Sequence, residues 1–224
     1  MIDRIIIVGD SWGRGEWKDG VITHKGLEQY LLQDNYSVLN YSQPGADSNL
    51  IINQIPQSLS DKDLLVIFAT DFQRGQIDWN VQADESLEKF LIHRNTQKQI
   101  FLKALEQRLR KQKASVLLLG CLGVLDPIDK IKYKNIEIIH NYVQWLLPNN
   151  KYVSEYKFYT KDYNFHLLYN LFRHNKNNEL MSTILEQSTL WQTKIADTNV
   201  FLDSAHPNRD CHNKLYKYIK EKYL

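Results

Sequence analysis

Short, wholly apolar segments alternate along this chain with longer segments whose apolar residues recur at helical spacing. Three of the apolar segments have the length of a strand: Ile5–Val8, Leu64–Phe68 and Val116–Leu119. A strand that is apolar on both faces must be covered on both faces, as in a parallel sheet between two layers of helices. The alternation therefore predicts an α/β fold, a three-layer α/β/α sandwich around a short, mainly parallel five-stranded sheet.

The remaining elements follow from the same patterns. Ser37–Asn40 and Asn199–Leu202 are the other two strand candidates. Amphipathic spacing predicts helices over His24–Asp34, Asp47–Ser58, Glu85–Lys113, Glu179–Ala196 and Arg209–Lys222. The chain length of 224 residues favours one domain, spanning 1–224.

One region has a different composition from the rest. Residues 128–176 contain eight Lys and Arg, four Asp and Glu, and eleven aromatic residues. We interpret residues 126–178 as an aromatic-rich helical insertion into the same domain, because no linker rich in Gly, Ser or Pro separates them from the neighbouring elements.

Composition excludes several classes of protein. With 43% apolar and 24% charged residues the chain is neither disordered, collagen-like nor a coiled coil. Its net charge of +2 disfavours a nucleic-acid partner. Cys121 and Cys211 form no CxxC pair, and the seven histidines show no metal-ligand spacing. No Gly-rich phosphate-binding loop is present. We therefore predict neither a metal nor a cofactor.

The sequence also predicts a location. The apolar run Ile5–Val8 is too short for the core of a signal peptide, and no 18 apolar residues run together. We expect a cytoplasmic protein without a membrane partner. Release by lysis, or carriage in a virion if a phage encodes the chain, stays open, as does the oligomeric state.

Three polar segments carry candidate chemistry. Gly9-Asp10-Ser11 follows the first strand, where a tight turn can present a serine at the edge of the sheet. Asn40–Ala46 follows the second strand and contains a Pro44-Gly45 turn. Asp203 precedes His206 by three residues, a spacing at which a carboxylate can orient an imidazole. Each segment alone is equally typical of an ordinary turn or helix cap.

Taken together and in this order, the three segments resemble the SGNH (GDSL-type) hydrolases over the whole chain in outline. The resemblance implies a flavodoxin-like sheet and a serine esterase without a cofactor. It implies Ser11 as the nucleophile, His206 as the general base and Asp203 as the residue that orients it. It also implies an oxyanion hole formed by the backbone N–H groups of Ser11 and Gly45.

One family block departs from the pattern. Where the family has Gly-x-Asn-Asp, this chain has Phe68-Ala69-Thr70-Asp71, so Thr70 stands in the place of an oxyanion-hole asparagine. A threonine hydroxyl can donate one hydrogen bond but reaches less far. Candidate substrate-binding residues are Asp10, Trp12 and Arg74; Trp17 is a further candidate for the pocket wall.

One other fold and two other functions compete with this interpretation. Gly9-x-Ser11-x-Gly13 also fits the nucleophile elbow of the α/β-hydrolases. In that fold the nucleophilic serine follows several strands and its acid and base lie on separate loops, so the position of Ser11 near the start of the chain and the three-residue spacing of Asp203 and His206 exclude the α/β-hydrolase fold. The missing asparagine motivates a catalytically weak or inactive SGNH-like module that recognises a glycan or a protein. The basic, aromatic segment motivates a nucleic-acid binder. We favour hydrolysis of short-acyl esters, such as O-acetyl groups, on a small molecule or carbohydrate.

Overall fold

A five-stranded parallel sheet forms the framework of the described chain. The computed structural model describes residues 2–69, 72, 87–121, 125, 131–149, 200 and 206–224. The strands are β1 (Arg4–Val8), β2 (Glu16–Lys18), β3 (Val21–His24), β4 (Ser37–Asn40), β5 (Asp63–Ala69), β6 (Ser115–Gly120) and β7 (Ile136–Ile139). The helices are α1 (Ser11–Arg14), α2 (Gly26–Gln33), α3 (Ser48–Gln54), α4 (Leu87–Leu109), α5 (Tyr142–Leu146) and α6 (Arg209–Tyr223).

The strand order of the main sheet is β4-β1-β5-β6-β7, and every neighbouring pair is parallel. The predicted α/β class, with a five-stranded parallel sheet of flavodoxin-like order, is confirmed. Within the part of the chain that the structure describes, β2 and β3 pair with each other alone, as an antiparallel hairpin beside the sheet.

The side chains of the central strands alternate between two apolar cores, one on each face of the sheet. Ile5 and Ile7 of β1 belong to a core that includes residues of α2 and α6. Ile6 and Val8 belong to a second core that includes residues of α3 and α4. All four side chains are at most 1% exposed. This two-sided burial explains why the strands lack the apolar–polar alternation of a half-exposed sheet.

Strand β1 is the point at which the chain reverses its direction across the sheet. The connection from β1 runs through α2 to β4 on one side, and the next runs through α3 to β5 on the other side. Helix α6 joins the α2 face, where Leu215 and Ile219 are completely buried.

The fifth strand differs from the prediction. It is β7, which lies inside the region that we interpreted as an insertion over 126–178, and α5 follows it there. Residues 136–139 of that region therefore form an edge of the main sheet as the structure describes it. Strand β7 has only four residues, and its charged Glu137 interrupts the apolar pattern. The predicted helix 179–196, most of the predicted strand 199–202 and the remainder of the insertion lie outside the described residues.

The hairpin of β2 and β3 was missed, although the sequence contains its signal. Asp19-Gly20 joins the two strands, and both residues have positive φ, +51° and +77°. This pair of angles is typical of a type I′ turn, for which Asp-Gly is a preferred sequence. The predicted helix His24–Asp34 starts two residues later than expected, at Gly26, because His24 completes β3.

Within the described residues, none of the helices combines the length and the apolar character needed to cross a membrane.

Candidate active site

Ser11 lies directly beyond the carboxyl end of β1, between the ends of β4 and β5. In open α/β sheets this position, where neighbouring connections leave on opposite faces, forms a crevice. Ser11 is the first residue of α1, and its side chain is 8% exposed. The carboxylate of Asp10 caps α1 by accepting a hydrogen bond from the backbone N–H of Trp12 at 2.9 Å. The cap fixes the turn that presents the serine.

Gly9 allows the chain to turn at this point while it passes close to β5. Its φ is +151°, and a Cβ atom on it would lie 2.7 Å from the Cβ of Phe68. The side chain of Gln54 on α3 hydrogen-bonds to both backbone groups of Gly9. The Gly9 N–H donates to Oε1 at 2.8 Å, and Nε2 donates to the Gly9 carbonyl at 3.2 Å. The backbone before Ser11 is therefore fixed from two sides.

The predicted Pro44-Gly45 turn is present after β4. The Ala46 N–H donates to the Gln43 carbonyl at 3.0 Å, and Gly45 has a φ of +76°, as in a type II turn. Asn40 connects this loop to α1, because its Nδ2 donates to the Gly13 carbonyl at 3.0 Å. Gly45 is exposed, with no atom near the position of a Cβ.

His206 and Ser11 are brought together across 195 positions of sequence. The Nε2 atom of His206 lies 2.9 Å from the Ser11 Oγ atom. This distance is within the range required for direct proton transfer from a hydroxyl to a base. The pair can therefore generate a serine oxygen nucleophile at the edge of the sheet.

The start of α6 fixes the backbone beside His206. Asn208 caps the helix, with its Oδ1 accepting from the Cys211 N–H at 3.0 Å. The Asn208 N–H in turn donates to the Val200 carbonyl at 2.8 Å.

A buried carboxylate ties the hairpin to the same helix start. Glu16, 1% exposed, accepts hydrogen bonds from Arg209 Nη2 at 2.7 Å and from the Arg209 backbone N–H at 2.6 Å. Thr23 Oγ1 donates to it at 2.8 Å. The hydrogen bonds from the Arg209 side chain, more than any other contact, lower the pKa of Glu16 to about 2.

This pKa predicts a pH dependence of stability. Because the pKa is depressed in the folded protein, the unfolded chain takes up the proton first as the pH falls from 4.5 towards about 2. The free energy of unfolding that Glu16 contributes is therefore present at neutral pH and lost across that interval. We expect the stability difference between the wild type and Glu16→Gln, measured by urea denaturation, to shrink over the same interval.

An exposed residue of α6, Glu221, provides the control. Glu221→Gln should give a small stability difference at every pH, because its side chain is exposed. A stability difference for Glu16→Gln that is the same at neutral pH and at about pH 3 would contradict the assignment.

Two of the predicted substrate-binding residues are in fact interior. Trp12 is 1% exposed and packs against Tyr142, with ring centroids 6.4 Å apart. Asp10 is 0% exposed, and its carboxylate caps α1. The turn of α1 directs the side chain that follows Ser11 into the core. Thr70, Arg74 and Asp203 lie outside the described residues.

Two groups at the site were missed by the sequence analysis. Glu16 carried no signal, because its partner Arg209 is 193 positions away. Gln54 also carried no signal, because a glutamine on a helix does not by itself indicate a contact with a particular residue. Both side chains hydrogen-bond to backbone groups, of Arg209 and of Gly9 respectively, and a sequence motif does not indicate which distant side chain will bind such a group.

No protein-family profile and no curated protein matches the chain. Solved structures do match. One is described as the psychrotrophic esterase EstA from Pseudoalteromonas sp. inhibited by monoethylphosphonate, at 15% identity and a TM-score of 0.41, covering 98% of this chain and 97% of that one. Another is described as TesA, at 17% identity and a TM-score of 0.43, covering 97% and 96%.

A third match is described as BT4096, a gut microbial diltiazem-metabolizing enzyme. It has 14% identity and a TM-score of 0.46, and the match covers 98% of this chain and 46% of that chain. Identities of 14–17% are too low to assign an activity to this chain, so an activity has to be argued from its own Ser11 and His206.

Proposed function

We propose that this chain is a serine hydrolase of the SGNH (GDSL-type) class that cleaves carboxylic esters. The observation that carries the proposal is the 2.9 Å contact between the Ser11 Oγ and the His206 Nε2 at the carboxyl end of β1. A hydroxyl beside an imidazole is the arrangement that activates serine for acyl transfer.

The proposed reaction has two halves. Ser11 Oγ attacks the ester carbonyl carbon while its proton passes to His206 Nε2. The tetrahedral intermediate then collapses, the bond to the alcohol oxygen breaks, and His206 returns the proton to that oxygen. In the second half, water attacks the carbonyl carbon of the acyl-enzyme while its proton passes to His206 Nε2. The bond to Ser11 Oγ then breaks, His206 returns the proton to that oxygen, and the carboxylic acid is released.

The supporting roles follow the family resemblance. Asp203 would accept a hydrogen bond from His206 Nδ1 and stabilise the imidazolium. The backbone N–H groups of Ser11 and Gly45, with the hydroxyl of Thr70, would donate to the oxyanion. An oxyanion donor contributes about 2.7–4 kcal/mol to the stability of the transition state, so the shorter threonine is expected to slow the reaction without abolishing it.

The proposed substrate class is an ester with a short acyl group, such as an O-acetyl group on a small molecule or a carbohydrate. No cofactor enters this reaction, because the nucleophile, base and oxyanion donors all come from the chain.

The test is covalent capture of Ser11. The wild type should hydrolyse p-nitrophenyl acetate and should be labelled at Ser11 by a fluorophosphonate, with the modified peptide identified by mass spectrometry. Ser11→Ala should lose both properties. Ser37→Ala, which changes an exposed serine at the start of β4, is the matched control and should retain both. An unlabelled wild type without turnover would overturn the proposal and favour a binding module.

A further inference from the structure

Trp17 on β2 contacts both members of the Ser11–His206 pair. Its indole Nε1–H donates a hydrogen bond to the backbone carbonyl of Ser11 at 2.9 Å. Its ring lies against the imidazole of His206, with centroids 5.5 Å apart and an interplanar angle of 32°. One half-buried side chain therefore holds the backbone of the nucleophile and one face of the base.

Trp17 is itself held by a hairpin that is anchored to the segment carrying His206. Its neighbour Glu16 binds both the backbone and the guanidinium of Arg209, three residues after His206. The pairing of β2 with β3 skips Thr23, whose hydroxyl donates to Glu16. The hairpin thus binds the start of α6 through Glu16 and packs on the His206 imidazole through Trp17.

We propose that Trp17 is a positioning residue that keeps His206 in line with Ser11; this inference rests on the proposed function. The geometry of a nucleophile and its base must be held closely, and a displacement of about 1 Å can cost about 100-fold in rate. In this role Trp17 acts through its hydrogen bond to the Ser11 carbonyl and its packing on the His206 ring.

The contact with His206 also has an electrostatic part. The face of an indole attracts a cation within about 6 Å of the ring centroid, and in the proposed reaction His206 becomes a cation when it takes the serine proton. The attraction is therefore stronger when the tetrahedral intermediate forms than in the resting protein. Interactions of this kind raise kcat and leave KM almost unchanged.

The experiment compares Trp17→Phe and Trp17→Ala with the wild type on p-nitrophenyl acetate. Losing the Nε1–H bond should lower kcat about tenfold in Trp17→Phe. Losing the ring as well should lower kcat about 100-fold in Trp17→Ala. KM should stay within about twofold in both variants. Trp145→Phe is the matched control: Trp145 is also half-buried and packs on Tyr142 and Tyr218, so its kcat should equal that of the wild type.

A second readout does not depend on turnover. The ring-proton resonances of His206, assigned by comparison with a His206→Gln spectrum, should shift in Trp17→Phe and Trp17→Ala because the ring current of the indole is removed. The resonances of the fully buried His212 should stay in place and report an intact core.

The two proposals fail in different ways. Wild-type kcat in both Trp17 variants, or an effect confined to KM, would overturn the positioning role and leave the esterase proposal standing. A wild type without turnover would remove the esterase proposal and the role that rests on it. If Trp17→Ala does not fold, the kcat and KM of Trp17→Phe decide the matter.

Discussion

Replacing His206 with glutamine is expected to lower kcat/KM for p-nitrophenyl acetate on the order of 10⁴-fold. Its Nε2 lies 2.9 Å from the Ser11 oxygen, and in the proposed reaction it both removes and returns the proton. Glutamine keeps a polar side chain of similar length but cannot take up a proton at neutral pH. Steady-state hydrolysis and the rate of fluorophosphonate labelling should fall together.

The double variant distinguishes a catalytic pair from two independent residues. Because Ser11 and His206 act in the same proton transfer, Ser11→Ala combined with His206→Gln should be no slower than Ser11→Ala alone. His140→Gln, at the end of β7, is the matched histidine control and should keep the wild-type rate. Substantial activity in His206→Gln would show that another group serves as the base.

Replacing Gly9 with alanine is expected to lower the free energy of unfolding by about 2–5 kcal/mol, combining backbone strain with overpacking. At a φ of +151°, a residue with a Cβ is strained, and that Cβ would lie 2.7 Å from the Phe68 Cβ and 2.9 Å from the Phe68 carbonyl oxygen. Both contacts are with the backbone region of a central strand, which cannot move aside cheaply. Urea denaturation measures the loss.

Gly20 separates the two contributions. It has a φ of +77°, but a Cβ there would meet no atom within 4 Å. Gly20→Ala should therefore show only the conformational cost, about 1–2 kcal/mol. If Gly9→Ala costs no more than Gly20→Ala, close packing against β5 is not what requires glycine at this turn.

The elements best predicted from sequence are those whose burial leaves a simple pattern. Strands β1, β5 and β6 have both faces in an apolar core, so nearly every residue is apolar. Strand β7 was missed because, among the described strands, it pairs with β6 alone and its Glu137 forms an ion pair with Lys222 of α6. A four-residue strand with a central charge has no distinctive pattern.

For the candidate site, the sequence indicated which residues to consider, but it did not indicate which of them contact one another. Ser11, Gly45 and His206 stood out because each belongs to a segment with characteristic neighbours. The two tryptophans after the serine could not be distinguished, since only the direction of α1 sends Trp12 inward while β2 brings Trp17 to the imidazole. The Glu16–Arg209 ion pair depends on a fold that no local pattern encodes.

The packing of α6 against the face of α2 has a consequence for protein synthesis. A nascent chain leaving the ribosome exposes its nucleophile early, but the base emerges 195 positions later. In the proposed mechanism the growing polypeptide is therefore inert towards cellular esters until α6 docks and brings His206 to Ser11. Cleavage between Ser11 and His206, followed by loss of the fragment that carries His206, would abolish the activity in the same way, so hydrolytic activity would report that the two residues are still held together.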